Sequence, residues 1–123
     1  MSDTKSEKTI LLVEDEPLIA MFEKMTLEKD GYAVVTADAG ERAVEKMRLG
    51  PGIDLVLMDI DLGGGMDGTE AAQIILQEHD VPLVFLSSHT EPEIVKKTEG
   101  ITSYGYIVKN SGETVLLASI RMA

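Results

Sequence analysis

Five short apolar runs, at 9–13, 32–37, 53–58, 83–86 and 103–108, alternate along this chain with stretches whose apolar residues recur at helical spacing. Strands joined through a helix pair in parallel, because a parallel pair needs a crossover of a dozen or more residues. Strict alternation therefore predicts an α/β domain: a doubly wound, five-stranded parallel sheet with five helices, in the flavodoxin-like order 2-1-3-4-5. The run at 53–58 is the most apolar and is expected at the centre, covered on both faces.

The helical stretches carry their own punctuation. Pro17 stands where a first turn begins, and Leu18, Ile19, Met21, Phe22, Met25 and Leu27 form a broad apolar face that Gly31 terminates. A second helix runs through Ala43, Val44, Met47 and Leu49 and closes at Gly50-Pro51-Gly52. The third, 69–79, turns Ala71, Ala72, Ile74, Ile75 and Leu76 toward the sheet. The stretch 91–99 is short and weakly apolar, so it is expected to be exposed. A last helix from 112 to 123 carries Val115, Leu116, Leu117 and Ile120. The methionines at 21, 25 and 47 fall on these apolar faces and read as core.

A chain of 123 residues fits one domain, about 9–123, after a polar lead-in at 1–8. Cysteine is absent, which excludes disulfides, thiolate-held zinc and cysteine nucleophiles and is compatible with a reducing cytoplasm. No run approaches the roughly 18 apolar residues of a membrane span. The formal net charge of −11 argues against direct nucleic-acid binding, which needs a basic face. Protein partners or a cation suit such a chain better.

Three of the apolar runs end in charge. The first leads into Glu14-Asp15-Glu16, the third into Asp59 and the fifth into Lys109. In a parallel sheet these ends lie along one edge, where open α/β proteins place their sites. Carboxylates gathered there would repel one another, and a bound cation removes the conflict. Hard oxygen donors with few dedicated protein groups suit Mg²⁺, which keeps several waters and accepts ligands from phosphate. Asp59 is then the candidate nucleophile, able to form an aspartyl-phosphate. Lys109 can pair with Asp59 or with a phosphate oxygen, and the Ser87 hydroxyl can donate to another. Taken singly, each group has a plainer reading: an acid capping a helix, a surface lysine, a turn serine. Their coincidence on one sheet edge, each from a different connection, favours a site.

From about Thr9 to its end, the chain resembles the receiver domain of two-component response regulators, the CheY-like family. Ile10-Leu11-Leu12-Val13-Glu14-Asp15-Glu16 is similar to the family's acidic pair after strand one, and Leu55-Val56-Leu57-Met58-Asp59 to its phosphoacceptor strand. Phe85-Leu86-Ser87-Ser88-His89 matches the hydroxyl position, and Gly105-Tyr106-Ile107-Val108-Lys109 the aromatic and lysine of strand five. The resemblance implies that Glu14 and Asp15 help bind Mg²⁺, and that Asp59 ligates the ion and accepts phosphate from a phosphohistidine. It implies that Asp61 offers a backbone carbonyl to the metal, and that Ser87 and Tyr106 form a switch. The implied partners are a histidine kinase or phosphotransfer protein and a downstream protein or fused output domain, with a phosphorylation-dependent dimer as a further consequence. The domain would be cytoplasmic and catalyse only its own phosphorylation and dephosphorylation.

The chain departs from the family pattern in places. Asn110 stands where proline usually follows the lysine, so a cis peptide is not expected. The glycine-rich stretch after Asp59 is about one residue longer than the common form, and Asp61 and His89 flank the expected phosphate as tuners of dephosphorylation. Two other readings stay open at this point. Asp59-Ile60-Asp61 superficially resembles the paired aspartates of haloacid-dehalogenase phosphatases, although Gly63 stands where those have threonine. A pseudo-receiver that binds partners without accepting phosphate is the other. The last helical pattern lacks a capping signal, so two contexts stay open: a stand-alone receiver, or a piece cut from a hybrid sensor kinase or longer regulator.

Overall fold

The computed structural model describes residues 8–50, 52–60, 62, 66–87 and 106–108. Its elements are β1 (Thr9–Val13), α1 (Pro17–Lys29), β2 (Ala33–Ala37), α2 (Gly40–Leu49), β3 (Leu55–Asp59), α3 (Gly68–Glu78), β4 (Leu83–Ser87) and β5 (Tyr106–Val108). All strand pairs are parallel and their order is β2-β1-β3-β4-β5, the order expected from the alternation. The expected helices at 91–99 and 112–123, and the start of the fifth strand before Tyr106, lie outside the described residues.

Side-chain alternation splits the core into two layers. On one face Ile10, Leu12, Leu55, Leu57, Val84 and Leu86 pack with Leu27 of α1. On the other, Leu11, Val13, Val56, Met58, Leu83 and Phe85 pack with Ala43, Val44 and Met47 of α2 and Ala71, Ala72 and Ile75 of α3. Both faces of β3 are covered, and every one of its residues is buried. That is why it reads as an unbroken apolar run ending in Asp59. The α2 and α3 helices are further tied by Arg48, which donates to both Glu78 carboxylate oxygens at 2.9 and 2.5 Å.

Local signals end the helices where the sequence places them. Gly31 has a φ of 97°, a conformation open to glycine at little strain. Its amide donates to Glu28 O at 3.0 Å while Tyr32 N donates to Leu27 O at 3.2 Å, the paired bonds of a Schellman cap. Tyr32 packs against the layer that holds Leu27, the apolar contact that accompanies this cap.

The face assigned to α1 needs correction. Leu18, Met21, Phe22 and Met25 are 52–76% exposed, and the buried residues of the helix are Glu23, Thr26 and Leu27. The exposed four stand at i, i+3, i+4 and i+7, so the apolar stripe is real but lies away from the sheet. Leu27 is held inward by the Schellman cap, and Glu23, one turn back, and Thr26, the residue before it, are buried beside it. Met21 and Met25 are therefore surface residues, whereas Met47 is core as expected.

Candidate functional site

Strand register brings the site together. Val13 of β1 is level with Met58 of β3, so Glu14 and Asp59 are the next residues on adjacent parallel strands. By alternation, Asp59 continues the row of Leu55 and Leu57, and Glu14 the row of Ile10 and Leu12. Asp59 is level with Leu86 of β4, and the next step pairs Ser87 with Val108 of β5. The backbones of Ser87 and Val108 thus reach the same carboxyl edge as the acids.

Glu14, Asp15 and Asp59 each turn a carboxylate oxygen into one space, all three atoms lying within 4.8 Å of one another. Glu14 and Asp59 are 2% and 0% exposed, and Asp15 is half-buried. Two carboxylate charges at that separation repel by about 3 kcal/mol at an effective dielectric constant of about 20. A donor set of three hard oxygens, two of them buried, fits a small divalent cation that completes its shell with water. A cleft of about 420 Å³ opens beside Glu14 and Asp15, between α1 and the end of β2, with Lys24 and Asp38 on its walls.

The connection from β3 to α3 mounts Asp59 from behind. Ile60 N donates to Leu86 O at 3.1 Å, fixing the residue after Asp59 to β4. The Ile60 carbonyl then accepts from Leu62 N at 3.1 Å and from Gly68 N at 3.2 Å, which closes the loop at its base. Gly68 is required there by close approach: a Cβ would overlap the Asp59 carbonyl oxygen and lie 2.8 Å from Ile60 Cα. Asp67 caps α3, accepting from Glu70 N at 2.9 Å and Thr69 Oγ1 at 2.7 Å, while the Glu70 carboxylate accepts from Asp67 N at 3.1 Å. This reciprocal box is legible as Asp67-Gly68-Thr69-Glu70, a cap residue followed three positions later by Glu, and belongs among the residues that shape the site. Of the sequence-predicted residues, Glu14, Asp15 and Asp59 converge. Asp61, His89 and Lys109, and the side chains of Ser87 and Tyr106, lie outside the described residues.

The acidic pocket lies at the carboxyl edge of a β2-β1-β3-β4-β5 parallel sheet, where open α/β domains place their sites. The chain belongs to the response regulator receiver domain family, whose profile matches residues 10–121. Phosphorylation at an aspartate and Mg²⁺ binding are general properties of that family. It is 31% identical to the CAI-1 autoinducer sensor kinase/phosphatase CqsS of Vibrio cholerae over 98% of this chain, and 31% identical to the transcriptional regulatory protein PdtaR of Mycobacterium tuberculosis over 99%. It spans only 18% and 59% of the lengths of those two proteins. Among solved structures, it is similar to the N-terminal domain of a response regulator/sensory box/GGDEF protein from Carboxydothermus hydrogenoformans. That match has a TM-score of 0.86 and 47% identity and covers 94% of this chain and 92% of that one. The response regulator TrrA of Thermotoga maritima, solved with Mg²⁺-BeF, matches with a TM-score of 0.84 and 30% identity over 93% of this chain and 96% of that one. No helix among the described residues is long and apolar enough to cross a membrane.

Proposed function

We propose that this receiver takes a phosphoryl group from a partner's phosphohistidine onto Asp59 and thereby changes its affinity for a downstream protein or fused output domain. The observation that carries this is the convergence of the Glu14, Asp15 and Asp59 carboxylates within 4.8 Å at the sheet edge. One carboxylate oxygen of Asp59 attacks phosphorus as the phosphorus–nitrogen bond breaks, and the departing imidazole takes up a proton. Glu14, Asp15, Asp59 and the Asp61 carbonyl would hold Mg²⁺, which would supply charge neutralisation for the incoming phosphoryl oxygens. The buried walls around Asp59 limit access of bulk water to the acyl phosphate. Lys109 answers the new charge, the Ser87 hydroxyl donates to a phosphoryl oxygen, and Tyr106 shifts with it.

The test is incubation with Mg²⁺ and acetyl phosphate, or a beryllofluoride mimic, for wild type and Asp59→Asn. A single metal-dependent modification that the variant lacks is expected. Labelling of the variant equal to wild type would sink the assignment, and turnover far beyond one equivalent would point to a phosphatase.

A further inference from the structure

Glu41, in the first turn of α2, accepts a hydrogen bond from Met66 N at 3.2 Å across 25 residues of sequence. The two elements are pressed together at that point. A Cβ at the buried Gly40 would sit 3.0 Å from Met66 O and 3.3 Å from Met66 Cβ, so the start of α2 seats directly against this limb of the loop. Met66 itself packs onto the core layer under α2 and α3. Beyond it, Asp67 caps α3 and Gly68 lies against the Asp59 carbonyl. A continuous set of contacts therefore runs from Glu41 through Met66 and the α3 cap to the backbone of Asp59. The first turn of α2 therefore anchors this limb at Met66.

We infer that Glu41 is a positioning residue for the acidic site: by holding Met66, it sets where the β3–α3 connection lets the Asp59 carboxylate stand relative to Glu14 and Asp15. The inference rests on the proposed metal-dependent role of Asp59. A competing role for Glu41 is available from its place alone, since an acid in a first turn also favours the helix N-terminus. The two differ in what they move. A positioning role is carried by the acceptor oxygen, whereas a dipole role is carried by the charge.

The experiment compares wild type, Glu41→Ala and Glu41→Gln by hydrogen exchange at the Met66 amide and by calorimetric titration with Mg²⁺ alone. The carboxamide of glutamine keeps an acceptor without the charge. Expected is faster Met66 exchange and Mg²⁺ affinity about three- to tenfold weaker in Glu41→Ala, the range that loss of one hydrogen bond allows. Glu41→Gln is expected to stay within about twofold of wild type. Unchanged Mg²⁺ affinity in Glu41→Ala, or equal weakening in both variants, would overturn the inference while leaving the role of Asp59 standing. If wild type takes up no Mg²⁺ at all, it is the reading of Asp59 that fails, and the positioning role falls with it.

Discussion

Removing the charge of Asp59 should stabilise the metal-free protein. The side chain is fully buried, and its carboxylate faces those of Glu14 and Asp15 within 4.8 Å. At an effective dielectric constant of about 20, each pair of charges contributes about 3 kcal/mol of repulsion. A Lys109 ammonium acting as proposed would offset on the order of one such pair, and solvent at the half-buried Asp15 weakens the other. The remainder for Asp59→Asn, which keeps the shape of the side chain, is a gain of about 1–2 kcal/mol. Mg²⁺ reverses the order: at a hundred times its dissociation constant it stabilises wild type by about 2.7 kcal/mol, and it stabilises the variant far less. Urea unfolding followed by circular dichroism, in chelator and then in saturating Mg²⁺, reads both effects. A metal-free variant no more stable than wild type would refute the electrostatic reasoning. So would a wild-type midpoint indifferent to Mg²⁺.

Other perturbations probe the scaffold around the acids. Gly68→Ala pushes a methyl group into the Asp59 carbonyl and the Ile60 backbone, which cannot rotate away, so a loss of about 2–3 kcal/mol is expected in denaturant unfolding. Asp67→Ala removes the α3 cap and should cost about 1 kcal/mol by the same measurement. On α1, Leu27→Ala should cost about 2–5 kcal/mol, whereas Phe22→Ala at a 65% exposed site should cost less than about 1 kcal/mol. The hydrogen bonds from the Arg48 guanidinium hold Glu78 below the usual carboxylate range. Because its folded value is depressed, its contribution to stability is fully present above the ordinary value of 4.5 and is lost as pH falls through the folded value. The stability difference between wild type and Glu78→Gln should therefore be small and level near neutrality and shrink on acidification below 4.5.

Much of this architecture is legible in the chain because its signals are local and periodic. The first four apolar runs and Gly31 locate their elements to within a residue or two, and parallel register then brings Glu14 level with Asp59. The inward face of α1 is not legible in the same way. Periodicity reports that Leu18, Met21, Phe22 and Met25 share one side, but the side that meets the sheet is set by where the Schellman cap leaves Leu27. Burying Glu23 and Thr26 runs against composition, and no pattern in a single sequence announces it. The site is divided likewise. The acids are visible because they end apolar runs, and the Asp67–Glu70 box because its spacing is fixed. The Glu41–Met66 bond and the pressure of Gly68 on Asp59 join residues whose proximity arises only when α2, α3 and β3 pack together.

The central claim is that one carboxylate of the three is the chemical acceptor and that the others serve it. Its most direct test is peptide mapping of the protein after reaction with acetyl phosphate in Mg²⁺, with parallel samples in chelator. A single phosphoryl group on the peptide containing Asp59, absent in chelator, is the predicted result. Phosphate on another residue, or on Asp59 to the same extent without metal, would contradict the account.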